Sequence, residues 1–227
     1  MASEATDNAP QLEPFSRGAL LSHLCRIAVL TRDTAALRGY TASLAALAEE
    51  QSFPHYLIAS RYFRGWLEAD SGNLTAGIRN MNEAATALRA KGGRLWGSHS
   101  CVMLVDALIS AGCAADALAV SSEGLAISAC TGQVWLDAEL HRRRGDALLT
   151  DTKAAEQEYR QALGIARDQS AKLFEIRATV GLARLLSRQD KRAKACDLLA
   201  PIYAWFTEGL NMPDLREARE LLAYLGA

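Results

Sequence analysis

Little in this chain of 227 residues belongs to a stapled, sheet-rich or membrane-spanning protein. Its five cysteines, Cys25, Cys101, Cys113, Cys130 and Cys196, are odd in number, scattered and never arranged as C-x-x-C. That excludes a disulfide framework and a clustered zinc site, and reads the thiols as small hydrophobes in a reducing compartment. Aromatic residues make up only 7% and prolines number five, while Ala and Leu dominate, a mix that suits close-packed helices better than sheets. No basic stretch followed by an apolar core opens the sequence, and no apolar run approaches the length that crosses a bilayer. A cytoplasmic protein without membrane contact is expected.

Catalytic signatures are missing as well. His23, His55, His99 and His141 are isolated from one another and from Cys or acidic residues at ligand spacing. There is no Gly-x-Ser-x-Gly elbow and no Cys or Ser with a His in a recognisable arrangement. The expectation is therefore no enzyme, no catalytic residue, no metal and no cofactor. The net charge of −1 gives no overall pull toward nucleic acid or anionic lipid. Charge is unevenly spread all the same: residues 139–194 hold thirteen Lys/Arg against eight Asp/Glu, whereas residues 1–138 hold ten against thirteen. The run His141-Arg142-Arg143-Arg144 spreads over several helix faces, because successive residues point about 100° apart, so it forms no nucleic-acid stripe.

What the chain does have is self-similarity at a shift of roughly forty residues. Gly65, Gly72, Gly77, Met81 and Ala84 recur as Val105, Gly112, Ala117 and Gly124, then as Gly145, Ala155, Tyr159 and Ala162, then as Ala183, Ala195, Leu199 and Ile202. Small residues return wherever paired helices must touch. The pattern predicts an all-α, right-handed α-solenoid of about five antiparallel helix pairs, each covering its neighbour's apolar face.

Residues 1–14 read as a disordered N-terminal tail, and residues 15–227 as the repeat domain. The first pair starts near Ser16, a candidate cap, breaks at Thr31-Arg32-Asp33 and continues through Leu37, Tyr40, Leu44 and Leu47. Further pairs are expected at about 55–70 and 74–91, ended by Lys91-Gly92-Gly93, then 95–111 and 114–130 joined at Gly112, then 133–149 and 152–169. The fourth pair is shorter by two residues, a deletion expected in its turn. A fifth pair runs near 171–188 and 191–207, and the amphipathic stretch Leu215 to Leu225, opened by Pro213 and Asp214, reads as a capping helix.

The offsets from Gly65 to Ala84 resemble the tetratricopeptide (TPR) repeat, with Glu68 where an aromatic is usual and a period of about forty in place of about thirty-four. The run from Trp135 to Leu149, with Ala155 to Arg167, Glu175 to Leu185 and Leu198 to Gly209, resembles the C-terminal TPR-like segment of bacterial multidomain regulators. In those proteins it follows a nucleotide-binding ATPase module, with a class III adenylate or guanylate cyclase domain or a DNA-binding domain in front. The resemblance implies a sensor or protein–protein interaction module in bacterial signalling or transcription control, with a protein or peptide partner such as a regulatory ATPase or cyclase. It transfers no activity, since neither a phosphate-binding Gly-x-x-x-x-Gly-Lys-Ser/Thr loop nor a cyclase-like metal-binding segment is present. The alternative is a domain that senses a small molecule.

TPR stacks line their concave face with the first helix of each pair. Carried onto this sequence, that face takes Tyr62, Trp66 and Asp70 in the second pair, His99, Val102, Asp106 and Ile109 in the third, Glu139, Arg142 and Asp146 in the fourth, and Arg177, Val180, Arg184 and Arg188 in the fifth. As a groove this is aromatic at one end and basic at the other, fit for an apolar anchor and a carboxylate. Two plainer readings stay open: Tyr62 and Trp66 pack against a neighbouring repeat, and the arginines form an ordinary solvated face. Trp96, Trp135 and Trp205 are expected to pack between helices.

Overall fold

The computed structural model describes residues 12–90 and 97–226, so most of the expected tail, the stop at Lys91-Gly92-Gly93 and Trp96 lie outside the described residues. Within them are eleven α-helices and no strand. In chain order these are α1 (Pro14–Leu30), α2 (Thr34–Glu50), α3 (Pro54–Asp70), α4 (Leu74–Ala90), α5 (Gly97–Ser110), α6 (Ala114–Thr131), α7 (Asp137–Ala147), α8 (Thr152–Asp168), α9 (Lys172–Arg188), α10 (Arg192–Ala204) and α11 (Pro213–Gly226). Contacts divide the chain into two compact units, Met1–Arg94 and Leu95–Ala227.

The forty-residue period has a simple origin in the first unit. Each of α1 to α4 is 17 residues long, and three turn residues separate each from the next. Helix and turn together make twenty residues, and a pair makes forty. The turn is the same each time: Arg32 N–H bonds Val29 O at 3.1 Å and Asp33 N–H reaches back to Ala28 O at 2.9 Å. This closes the carbonyls that a helix end leaves open, and it needs a left-handed residue at its centre. Glycine supplies it at Gly72 and Gly112, but Arg32, Ser52, Ser170 and Asp190 hold the same conformation, with φ between 53° and 60°. An L-residue there costs on the order of 1 kcal/mol, which the satisfied helix end offsets. The breaks expected at Arg32 and Gly112, and the gap between 188 and 191, are these turns.

Packing within pairs depends on missing side chains. A Cβ on Gly77 would lie 2.5 Å from Gly65 O and 2.6 Å from Ala69 N, so α3 and α4 touch backbone to backbone. In the second unit Gly145 and Gly181 flank the buried Tyr159 ring, and a Cβ on either would come within 2.7 Å or less of its Cε1. That unit stacks α5, α7, α9 and α11 in sequence, with α6, α8 and α10 as their hairpin partners. Its main core gathers Ile176, Leu182, Leu185, Leu186, Leu199 and Ile202. Leu215, Ala218, Leu221 and Leu225 of α11 join this core, so the expected terminal helix covers the last pair.

Four local expectations are corrected. Helix α1 begins at Pro14 with Pro in its first turn, so Pro14 is not tail and Ser16 lies inside the helix. The two-residue deficit of the fourth pair falls on its first helix: α7 has 11 residues after a 3-10 turn at Val134–Leu136, and the turn to α8 is four residues long. Asp151 fixes that turn by capping α8, its Oδ1 accepting from Ala154 N–H at 3.1 Å. Trp205 is 58% exposed at the end of α10, and Trp135 is 39% exposed in the loop before α7. Both sit where the chain leaves or enters a helix, beyond the reach of the interhelical core.

Candidate functional site

Glu139, Arg142 and Asp146 of the fourth pair and Arg177 of the fifth come together across α7 and α9 and meet one another. Glu139 lies at the centre, in the first turn of α7, with its side chain 4% exposed. Arg142, one turn on, clasps both its oxygens, with Nε at 3.0 Å from Oε2 and NH2 against Oε1. Arg142 also donates from NH1 to Asp146 at 2.8 Å. Arg143 bridges to Asp106 of α5 at 2.5 Å, and lies 3.5 Å from Asp146 and 3.8 Å from Glu139. On the other side Arg177 of α9 sits 3.8 Å from Glu139 and forks onto Asp214 of α11, at 2.9 and 2.8 Å. Four helices from four successive positions in the stack are thus joined by one ladder of alternating charge.

Burial by itself would push the Glu139 carboxyl up, but the Arg142 and Arg177 guanidiniums, with Arg143 beyond them, hold it well below the ordinary carboxylate range. The converse holds for Arg142, which burial would lower and which Glu139 and Asp146 keep firmly protonated. Tyr159 feeds into the same ladder from α8, its hydroxyl donating to Asp146 Oδ1 at 2.6 Å. Burial, then the Asp146 charge, raise its pKa. Glycines on α7 and α9 let the ring reach this point, so the core and the charged face share one residue.

The run His141 to Arg144 does divide between faces. Arg142 and Arg143 belong to the ladder, whereas His141 Nδ1 contacts Glu158 Oε2 of α8 at 2.7 Å and Arg144 Nε donates to Glu158 Oε1 at 2.8 Å. Among the described residues no group of three His, Cys, Asp or Glu is placed to hold a metal. No described helix is long and apolar enough to cross a membrane.

Paired antiparallel helices, glycine contacts inside the pairs and first helices stacked in register define the architecture. It matches the crystal structure of a Podosopora anserina kinesin light chain protein with nearly identical TPR-like repeats, at a TM-score of 0.56. The chain has a TPR-like repeat fold. Identity over the match is 18%, and it covers 73% of this chain and 83% of that one. No family model and no curated protein matches the sequence.

In TPR-like terms the predicted face is partly closed. Tyr62 and Trp66 are 8% and 9% exposed. They lie on the flank of α3 that carries Gly65 and Ala69 toward α4, while the solvent strip of that helix is Arg61 and Arg64. The expected apolar anchor is therefore core. Asp70 is exposed at the last position of α3. His99 is buried, its ring stacked 6.4 Å from that of Trp135, and Val102 and Val180 are buried too. Ile109 is half-buried.

The three arginines of α9 also differ from one another. Arg177 is expected at the surface, yet its side chain is 9% exposed and tied to Asp214. Arg184 is exposed and pairs with Glu217 of α11 at 2.5 Å, and Arg188 is exposed in the last turn. Sequence reasoning missed Arg143, Tyr159 and Asp214 as members of this face. The spacing of Glu139 to Arg143 is a local signal for the first. The pairing of Arg177 with Asp214, 37 residues apart, has none.

Proposed function

We propose that the chain is a non-catalytic protein–protein interaction scaffold that serves as a sensor or regulatory module in bacterial signalling or transcription control, working with a regulatory ATPase or cyclase. The observation that carries this reading is the charge ladder across α5, α7, α9 and α11. It ties three first helices and the capping helix together and neutralises their inner arginines, which leaves Arg184 and Arg188 as the exposed guanidiniums of α9. A rigid face with guanidinium forks at its rim suits a partner that offers carboxylates. Such rim charges act chiefly on the rate of encounter, so the contact weakens as salt rises.

The experiment compares partners captured from a lysate of the source organism by the wild-type chain and by Arg184→Glu/Arg188→Glu, at low and moderate salt. Loss of a partner at low salt, with a smaller difference at moderate salt and with helicity and melting unchanged, supports the reading. Identical partner profiles refute it. Arg177 is left out of the variant because it is itself buried and its removal breaks the fork onto buried Asp214.

A further inference from the structure

The loops that join one pair to the next lie side by side along one edge of the second unit. Gln169, between α8 and α9, donates from Nε2 to Val134 O at 2.8 Å, which fastens that loop to the one before α7. Lys172, at the start of α9, places Nζ 5.6 Å from the centroid of the Trp205 ring, beyond the end of α10. The edge so formed exposes Val134, Trp135, Trp205 and Leu210, four of the large hydrophobics that the fold leaves in solvent. Phe206 braces Trp205 edge-on at 5.1 Å, and the His99 ring backs Trp135. These tryptophans are fixed from behind and open in front. Aromatic groups held this way are typical anchors of protein interfaces.

Charge decides what fits there. Among the described residues at these helix ends, Asp137, Asp168, Glu175 and Glu208 stand against Arg167, Lys172 and Arg216, an excess of one negative charge. Arg167 and Lys172 are already engaged by Glu175, at 2.9 and 2.7 Å. Asp168 and Glu208 are exposed. The Trp205 ring moreover already takes an ammonium group over one face.

We infer that this edge docks a basic, apolar peptide segment, whose hydrophobic side chains rest on Trp135 and Trp205 and whose Lys or Arg groups meet Asp168, Glu208 and the open ring faces. It is a second surface, on the loops and apart from the arginine rim of α9. An anionic membrane fits less well, because the edge carries negative charge.

The test uses two fluorescein-labelled peptides of equal length and equal Leu/Phe content, one with lysines and the other with glutamates at the remaining positions. Fluorescence anisotropy with the full chain should show binding of the lysine peptide that weakens with salt, and none of the glutamate peptide. Trp135→Ala/Trp205→Ala should weaken it about tenfold or more. Asp168→Lys/Glu208→Lys, exposed positions that keep the fold, should do the same. Failure of the lysine peptide to bind, equal binding of both peptides, or wild-type affinity in both variants overturns the inference. So does tryptophan-dependent cosedimentation with phosphatidylcholine/phosphatidylserine vesicles by a chain that ignores the peptide.

Discussion

Replacing Glu139 by Gln keeps the shape of the side chain and removes the charge at the centre of the ladder. Arg142 and Arg177 then face a neutral amide while remaining largely out of water, with side chains 12% and 9% exposed. Breaking one partner out of a buried ion pair typically costs about 3–5 kcal/mol. Here the loss belongs at the lower end, about 3 kcal/mol, because Arg142 keeps Asp146 and Arg177 keeps Asp214. In a chain of this size that lowers the melting midpoint by about 6–12 °C. Urea unfolding followed by circular dichroism at pH 7 measures the difference directly.

The pH dependence supplies a second reading of the same variant. The folded pKa of Glu139 is depressed, so its stabilisation is fully present above the unfolded carboxylate pKa of about 4.3 and is lost as pH falls through the folded value. The gap between wild type and Glu139→Gln should therefore be constant from pH 7 to about 5 and narrow steadily below about 4. Pairing with Arg142→Met in a double-mutant cycle should show strong coupling. A gap under about 1 kcal/mol at pH 7, a gap that ignores acid, or additive single effects would refute the ladder as a source of stability.

Other consequences follow from the packing. Gly77→Leu or Ala117→Leu forces a side chain between touching helices and should cost about 1–3 kcal/mol, read from the urea midpoint; unchanged midpoints in both would show that the repeat register is wrong. Deleting residues 213–227 uncovers Leu199 and Ile202 and takes Asp214 from Arg177, so light scattering after size exclusion should find aggregates or oligomers; a monomer of wild-type stability would deny α11 its capping role. Burial pushes the Cys25 thiol up to about 12 against the lowering effect of its Thr41 contact, which leaves about one thiolate in ten thousand at pH 8. Iodoacetamide should thus label exposed Cys130 first and Cys25 only on unfolding; early labelling of Cys25 in the folded chain, read by mass spectrometry, would contradict its burial.

Local chemistry determined the helices, their turns and their pairing. Prolines at 54 and 213, the left-handed turn centres and small residues at helix contacts act within a few residues or one hairpin, so each leaves its mark at a fixed spacing. The period of forty follows from helix and turn length alone. Where the pattern carries helical phase without neighbours, it gives a face but not its surroundings: Tyr62 and Trp66 sit at the spacing of an open groove and are core. Trp135 and Trp205 carry the residue type of a core and are exposed, because their places at the helix ends put them beyond the packed layer.

The state of each charge was decided only by tertiary structure. Arg177, Arg184 and Arg188 look alike in a basic stretch, yet one is buried against Asp214, one is bridged at the rim to Glu217 and one is exposed in the last turn. The partners of the first two come from α11, more than thirty residues away, where sequence shows only a helix start. An ion pair formed across stacked repeats depends on how two helices sit side by side, and that is a property of the assembled core rather than of either segment.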